Sequence, residues 1–230
     1  MGLVATIVLC SLKTESRAPS APAGVADALD RVRDGMRYVL GKRSVLCVVL
    51  VTATLNLWSF PFMFLLPVFA RDVLGQGPIG FGMLGACQGM GAMFGLLIVN
   101  RVRRLLSLNW LFGLGSLMTT CCTLLFSFSS TMVLSMTVMV GVGFGQVFFS
   151  TMQSAVILRT VSDEMRGRVM STLVLAIGGG PLGSLQAGLL AGLYGAPHAV
   201  TIMSALAMAA VITILRVVPG FVRKTRDRVP

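Results

Sequence analysis

Apolar residues run almost unbroken through six stretches of this chain, and every Lys, Arg, Asp and Glu falls outside them. The stretches extend from about Val45 to Phe69, Ile79 to Val99, Leu105 to Phe126, Met132 to Leu158, Val169 to Leu193 and Ala199 to Leu215. The charge-free run between Arg43 and Arg71 is about 27 residues, more than the ~20 that a helix needs to cross the hydrocarbon of a bilayer. Two longer runs, Leu105 to Leu158 and Val169 to Leu215, exceed one crossing and divide at the polar turns Ser127 to Thr131 and Tyr194 to His198. Each predicts a helical hairpin, and the whole predicts an all-α membrane protein with six spans.

The basic residues fall in alternate gaps. Arg31, Arg33, Arg37, Lys42 and Arg43 precede the first span, and Arg101, Arg103 and Arg104 follow the second. Arg159, Arg166 and Arg168 follow the fourth, and Arg216, Arg223, Lys224, Arg226 and Arg228 follow the sixth. The other gaps hold only Arg71, beside Asp72. Lys and Arg are enriched in cytoplasmic loops, so both ends of the six-helix unit are expected in the cytoplasm of a multi-pass cell-membrane protein, a bacterial inner membrane being the expected location.

Residues 1–12 are apolar but too short to span, and read as the tail of a preceding transmembrane helix. A cleaved leader is disfavoured because no basic segment precedes the apolar one. Residues 13–43 form a cytoplasmic segment, with a Ser, Ala and Pro-rich linker over Thr14 to Gly24. Val25, Ala28, Leu29, Val32, Met36, Val39 and Leu40 then recur at helical spacing between charged residues, which predicts an amphipathic helix along the cytoplasmic membrane surface. Residues 44–219 are the six-helix domain and 220–230 a basic cytoplasmic tail.

Composition narrows the function. With 55% hydrophobic and 12% charged residues, the chain lies far from the roughly 25% charged content of soluble domains; its mean hydropathy is +0.87. The net charge of +11 flanks the spans instead of forming a patch with interleaved aromatics, so no nucleic-acid partner is expected. The spans contain no Asp, Glu or His, which argues against an intramembrane enzyme, and no metal or cofactor is expected. Cys10, Cys47, Cys87, Cys121 and Cys122 lack the paired spacing of metal ligands and read as small packing residues. The single histidine, His198, falls at an outer turn and reads as a boundary or capping residue.

Glycines and amides supply the candidate sites. Small-xxx-small pairs at Gly85/Gly89, Gly91/Gly95, Gly141/Gly145 and Gly188/Gly192 suit close helix packing in lipid. Gly178, Gly179, Gly180 and Pro181 weaken the fifth span, with a bend expected at Gly180 and Pro181. Asn56, Gln88, Gln146, Gln153 and Gln186 lie within the first, second, fourth and fifth spans. Polar groups in hydrocarbon face a bundle interior or a wet cavity, so these four spans are expected to line a substrate cavity while the third and sixth face lipid. Interhelical hydrogen bonding is the alternative role for each amide.

The loop Asp163-Glu164-Met165-Arg166-Gly167-Arg168-Val169-Met170 resembles the acidic Arg-Gly-Arg turn between helices ten and eleven of major facilitator superfamily exporters, in the group that includes enterobactin and macrolide efflux proteins. Ser162 stands where that group usually has a proline. Asp34-Gly35-Met36-Arg37-Tyr38-Val39-Leu40 resembles the group's approach to helix seven. Asn100-Arg101-Val102-Arg103-Arg104 resembles a shortened copy of the superfamily's Asp-Arg-x-Gly-Arg-Arg loop, and Gly180-Pro181 resembles the Gly-Pro of the antiporter motif, in the repeat counterpart of its usual helix.

The resemblance covers almost the whole chain. It implies two inverted three-helix repeats and the C-terminal half of a transporter whose N-terminal six-helix half is a partner. It also implies secondary active efflux of a small amphipathic molecule by alternating access, with Arg101, Arg104, Asp163, Arg166 and Arg168 in gating loops. A transport-inactive membrane protein that assists assembly or regulation is the alternative.

Overall fold

The computed structural model describes residues 25–218. The expected helix tail at 1–12, the linker over Thr14 to Gly24, and the tail at 220–230 lie outside the described residues. The described chain is helical throughout: α1 (Val25–Gly41) is followed by six spans long and apolar enough to cross a membrane. The first span, Arg43–Asp72, consists of α2 (Arg43–Thr54), a π-helical turn (Leu55–Ser59) and α3 (Phe62–Asp72). The second, third and fourth are α4 (Pro78–Val102), α5 (Leu108–Ser127) and α6 (Met132–Thr160). The fifth, Asp163–Tyr194, falls into α7 (Asp163–Ile177) and α8 (Gly180–Tyr194), and the sixth is α9 (Ala196–Val217).

The interruption in the first span has a covalent cause. Pro61 has no amide proton, so the Leu57 carbonyl loses its helical donor. The chain widens locally, and the Phe60 amide reaches back five residues to the Leu55 carbonyl at 2.8 Å.

The fourth span forms the spine of the bundle, packing along the second and third spans. Among the glycine pairs, Gly91 lies against the Val140 carbonyl and Gly95 against Phe144 and Val147. Gly141 and Gly145 meet Cys122 and Thr119 across the third-span contact. Gly85, Gly89, Gly188 and Gly192 face open space instead. Lipid offers no hydrophobic drive between helices, so contacts made possible by missing side chains are what hold such spans together.

The third span does not simply face lipid. Trp110, Leu114, Met118 and Leu125 form an exposed stripe, while Ser116, Thr119, Thr120 and Thr123 are buried on the opposite side, which packs on the fourth and sixth spans. Each of these hydroxyls donates to the carbonyl four residues earlier, at 2.8 to 3.1 Å. A side chain that satisfies itself on its own helix can be buried without a partner from another. That is why a hydroxyl-bearing span packs inside as readily as an apolar one.

Candidate functional site

The two interrupted spans meet at their interruptions. The π turn and Pro61 of the first span face the start of α8, where Gly183 sits directly on the first-span backbone. A Cβ on Gly183 would lie 2.5 Å from the Leu57 carbonyl oxygen and 2.9 Å from that of Asn56. Beside this contact is an open pocket of about 310 Å³, lined by Asn56, Phe60, Pro61, Phe64, Gly180, Pro181 and Ser184. Asn56 is half-buried and donates from Nδ2 to the Thr52 carbonyl at 2.9 Å, and Ser184 donates to the Pro181 carbonyl at 2.8 Å. The pocket thus combines two aromatic rings with two polar side chains and contains no ionisable group.

The helix interruption in the fifth span falls at Gly178 and Gly179, two residues before the sequence-based bend at Gly180 and Pro181; those two residues open α8. Pro181 cannot donate to the Ile177 carbonyl, which explains why the helix ends there.

The remaining amides separate. Gln88 Nε2 donates to Gln146 Oε1 at 2.9 Å, so the second and fourth spans share one half-buried amide pair. Gln153, buried, donates to the Thr52 hydroxyl and ties the fourth span to the first. Gln146 and Gln153 lie seven positions apart on one helix yet address different neighbours. Gln186 is half-buried and has no hydrogen-bond partner among the described residues.

At the end of the bundle that carries α1, the two loop motifs come together. Arg168 Nη1 donates to Asp34 Oδ2 at 2.8 Å. Arg168 thus has its partner on α1, outside its own loop motif. The reason is geometric: α1 packs on α7, and Gly35 approaches so closely that a Cβ there would lie 2.5 Å from the Arg168 carbonyl oxygen. Accordingly α1 lies against the fifth span, with Val39 buried and Met36 and Leu40 exposed.

Arg166 pairs with Asp163 at 2.5 Å within α7 and donates to the Leu158 carbonyl at 2.9 Å, capping the fourth span. Lys42 donates to the Thr160 carbonyl at 3.0 Å and lies over the Tyr38 ring. Hydrogen bonds from Lys42 and Ser162 hold the Tyr38 phenol below its ordinary pKa. Arg101, in the last turn of the second span, and Arg104, on the loop after it, are both exposed. Among the described residues no cluster of His, Cys, Asp or Glu is arranged to hold a metal.

The family model for transmembrane secretion effectors matches residues 3–227, which takes in α1 and all six spans. The chain belongs to that family. As a transmembrane secretion effector it is a multi-pass membrane transporter of the major facilitator type. Comparison with curated proteins finds no match.

Sequence reasoning named Asn56, Phe60, Gly180 and Pro181 but missed Phe64, Gly183 and Ser184 beside them. A signal was present. Pro61, inside an apolar span, marks a place where backbone carbonyls are released and a helix must deform.

Proposed function

We propose that this secretion effector is the C-terminal half of a secondary exporter, and that the pocket between the first and fifth spans belongs to the path of its substrate. The observation that carries the reading is the meeting of two discontinuous spans at a pocket with Asn56 and Ser184 beside Phe60 and Phe64. Discontinuous helices are tolerated at membrane depth where they line a cavity, and transporter sites are commonly built from them.

The substrate class that suits this lining is a small amphipathic molecule, with aromatic contact from the phenylalanines and hydrogen bonds from Asn56 and Ser184. Gln186 and the Gln88/Gln146 pair extend the same wall. An N-terminal six-helix half supplies the opposite wall, both ends of this half are cytoplasmic, and efflux proceeds by alternating access. The motif resemblance supports the enterobactin and macrolide exporter group, and a bacterial inner membrane as the location.

The test is efflux normalised to folded protein. Asn56→Leu in the paired transporter is expected to change apparent affinity or substrate preference while the folded amount in the membrane stays the same. Unchanged normalised efflux across a panel of amphipathic compounds would remove this pocket from the path.

A further inference from the structure

The two halves of the fifth span have different packing partners. The half that begins at Asp163, α7, packs on α1 and α2. The other half, α8, packs on α9, α3 and the π turn. Between them lie two glycines, and Pro181 supplies no amide proton to the helix ladder. Among the six spans the fifth is also the least enclosed, with only 17% of its apolar stretch buried. A helix that changes partners at a backbone weak point has few contacts holding its halves in line.

We propose that α1 and α7 form one moving unit, joined through Gly35 and Asp34 to Arg168 and hinged at Gly178 and Gly179, which opens and closes the cytoplasmic end of the cavity. Asp34 and Gly35 are positioning residues in this scheme, remote from the pocket. The Asp34–Arg168 pair alone would join the helices weakly, because its side chains are about half exposed and water screens such pairs. Backbone contact does more. With no side chain, Gly35 lets α1 seat on the Arg168 carbonyl and beside the Thr172 hydroxyl, where any larger residue would force the helices apart.

The gating role rests on the transport reading given above, whereas the joint itself does not, so the test reads distances without substrate. Spin labels are placed in the full chain, in lipid nanodiscs, in a background lacking the five native cysteines. One pair is Arg37→Cys with Leu175→Cys, from α1 to α7; the other is Leu175→Cys with Leu189→Cys, across the hinge. All three positions are exposed.

The first pair should give a single narrow distance and the second more than one population. In a straight helix, the second pair would sit about 21 Å apart along the axis. Gly35→Ala should add a longer distance to the first pair, and Asp34→Asn, which leaves the packing surface intact, should do so to a smaller extent. Gly179→Ala, whose Cβ would meet only the Ala176 carbonyl oxygen at 3.5 Å, should reduce the second pair to one population. If the first pair is unmoved by Gly35→Ala and Asp34→Asn, or the second shows one population that Gly179→Ala does not alter, the moving unit is wrong. If the distances behave as expected while Asn56→Leu leaves efflux unchanged, the joint stands and the transport reading fails.

Discussion

Arg168 donates a hydrogen bond to Asp34 at 2.8 Å, joining residues 134 positions apart in the chain. Arg166, two residues earlier, turns instead to Asp163 and the Leu158 carbonyl. Two arginines of one short motif therefore do different work: one docks α1 and the other caps the end of the fourth span.

This division predicts different responses to substitution. Arg166→Lys keeps the charge that orients the loop but loses the planar fork that reaches both acceptors. Normalised efflux should fall for Arg166→Lys, with the topology of the loop unchanged. Arg168→Lys can still reach one carboxylate oxygen and should cost less. Full efflux in both variants would mean that the arginines only anchor the loop on its side of the membrane.

Gln153→Leu should act on stability. Its amide is buried against Thr52, and an intramembrane side-chain hydrogen bond contributes about 0.6 kcal/mol on average. Removing the donor also leaves a hydroxyl oxygen without its partner. Steric trapping or unfolding in mixed micelles should show a loss of about that size or somewhat more, with efflux per folded molecule intact. A change in substrate preference at unchanged stability would instead put Gln153 in the cavity.

The contact between the second and fourth spans should be sensitive at some glycines and tolerant at others. A Cβ on Gly143 would run into the Gln88 carbonyl, whereas one on Gly85 meets nothing within 4 Å. Gly143→Ala should reduce the folded yield, at a cost of about 1 to 3 kcal/mol typical of overpacking a tight contact. Gly85→Ala should be neutral. Equal yields from the two variants would mean that the helices separate at no cost.

Much of the architecture was legible because lipid imposes a coarse rule. Charges must lie outside the hydrocarbon, so Arg43 and Asp72 bracket the first span and the expected Val45 to Phe69 fell within two or three residues of each end. What sequence could not provide was pairing between helices. Gln88 and Gln146 look alike as isolated amides, and only the depth and rotation of two packed spans bring them within 2.9 Å.

The third span was misread for a different reason. Its amides were sought as a sign of an inward face, but its hydroxyls bond to their own helix and need no polar neighbour. The Asp34–Arg168 contact had no local signal either, although each residue stood in a motif already singled out.

Sidedness is tested by single cysteines in a background without the native ones. Gln76→Cys and Tyr194→Cys should react with an impermeant thiol reagent in intact cells, and Arg104→Cys only after permeabilisation. The positive-inside pattern requires this orientation. A Gln76→Cys site reached only after permeabilisation would invert the assignment.

The most direct measurement is the reactivity of Asn56→Cys, in the paired transporter without native cysteines. Asn56 lies at mid-span beside the pocket, where lipid would exclude a charged reagent and a wet path would admit one. The expected result is labelling by a hydrophilic thiol reagent, slowed when an exported compound is present. Labelling only by membrane-soluble reagents, at a rate no exported compound alters, would contradict a substrate path between the first and fifth spans.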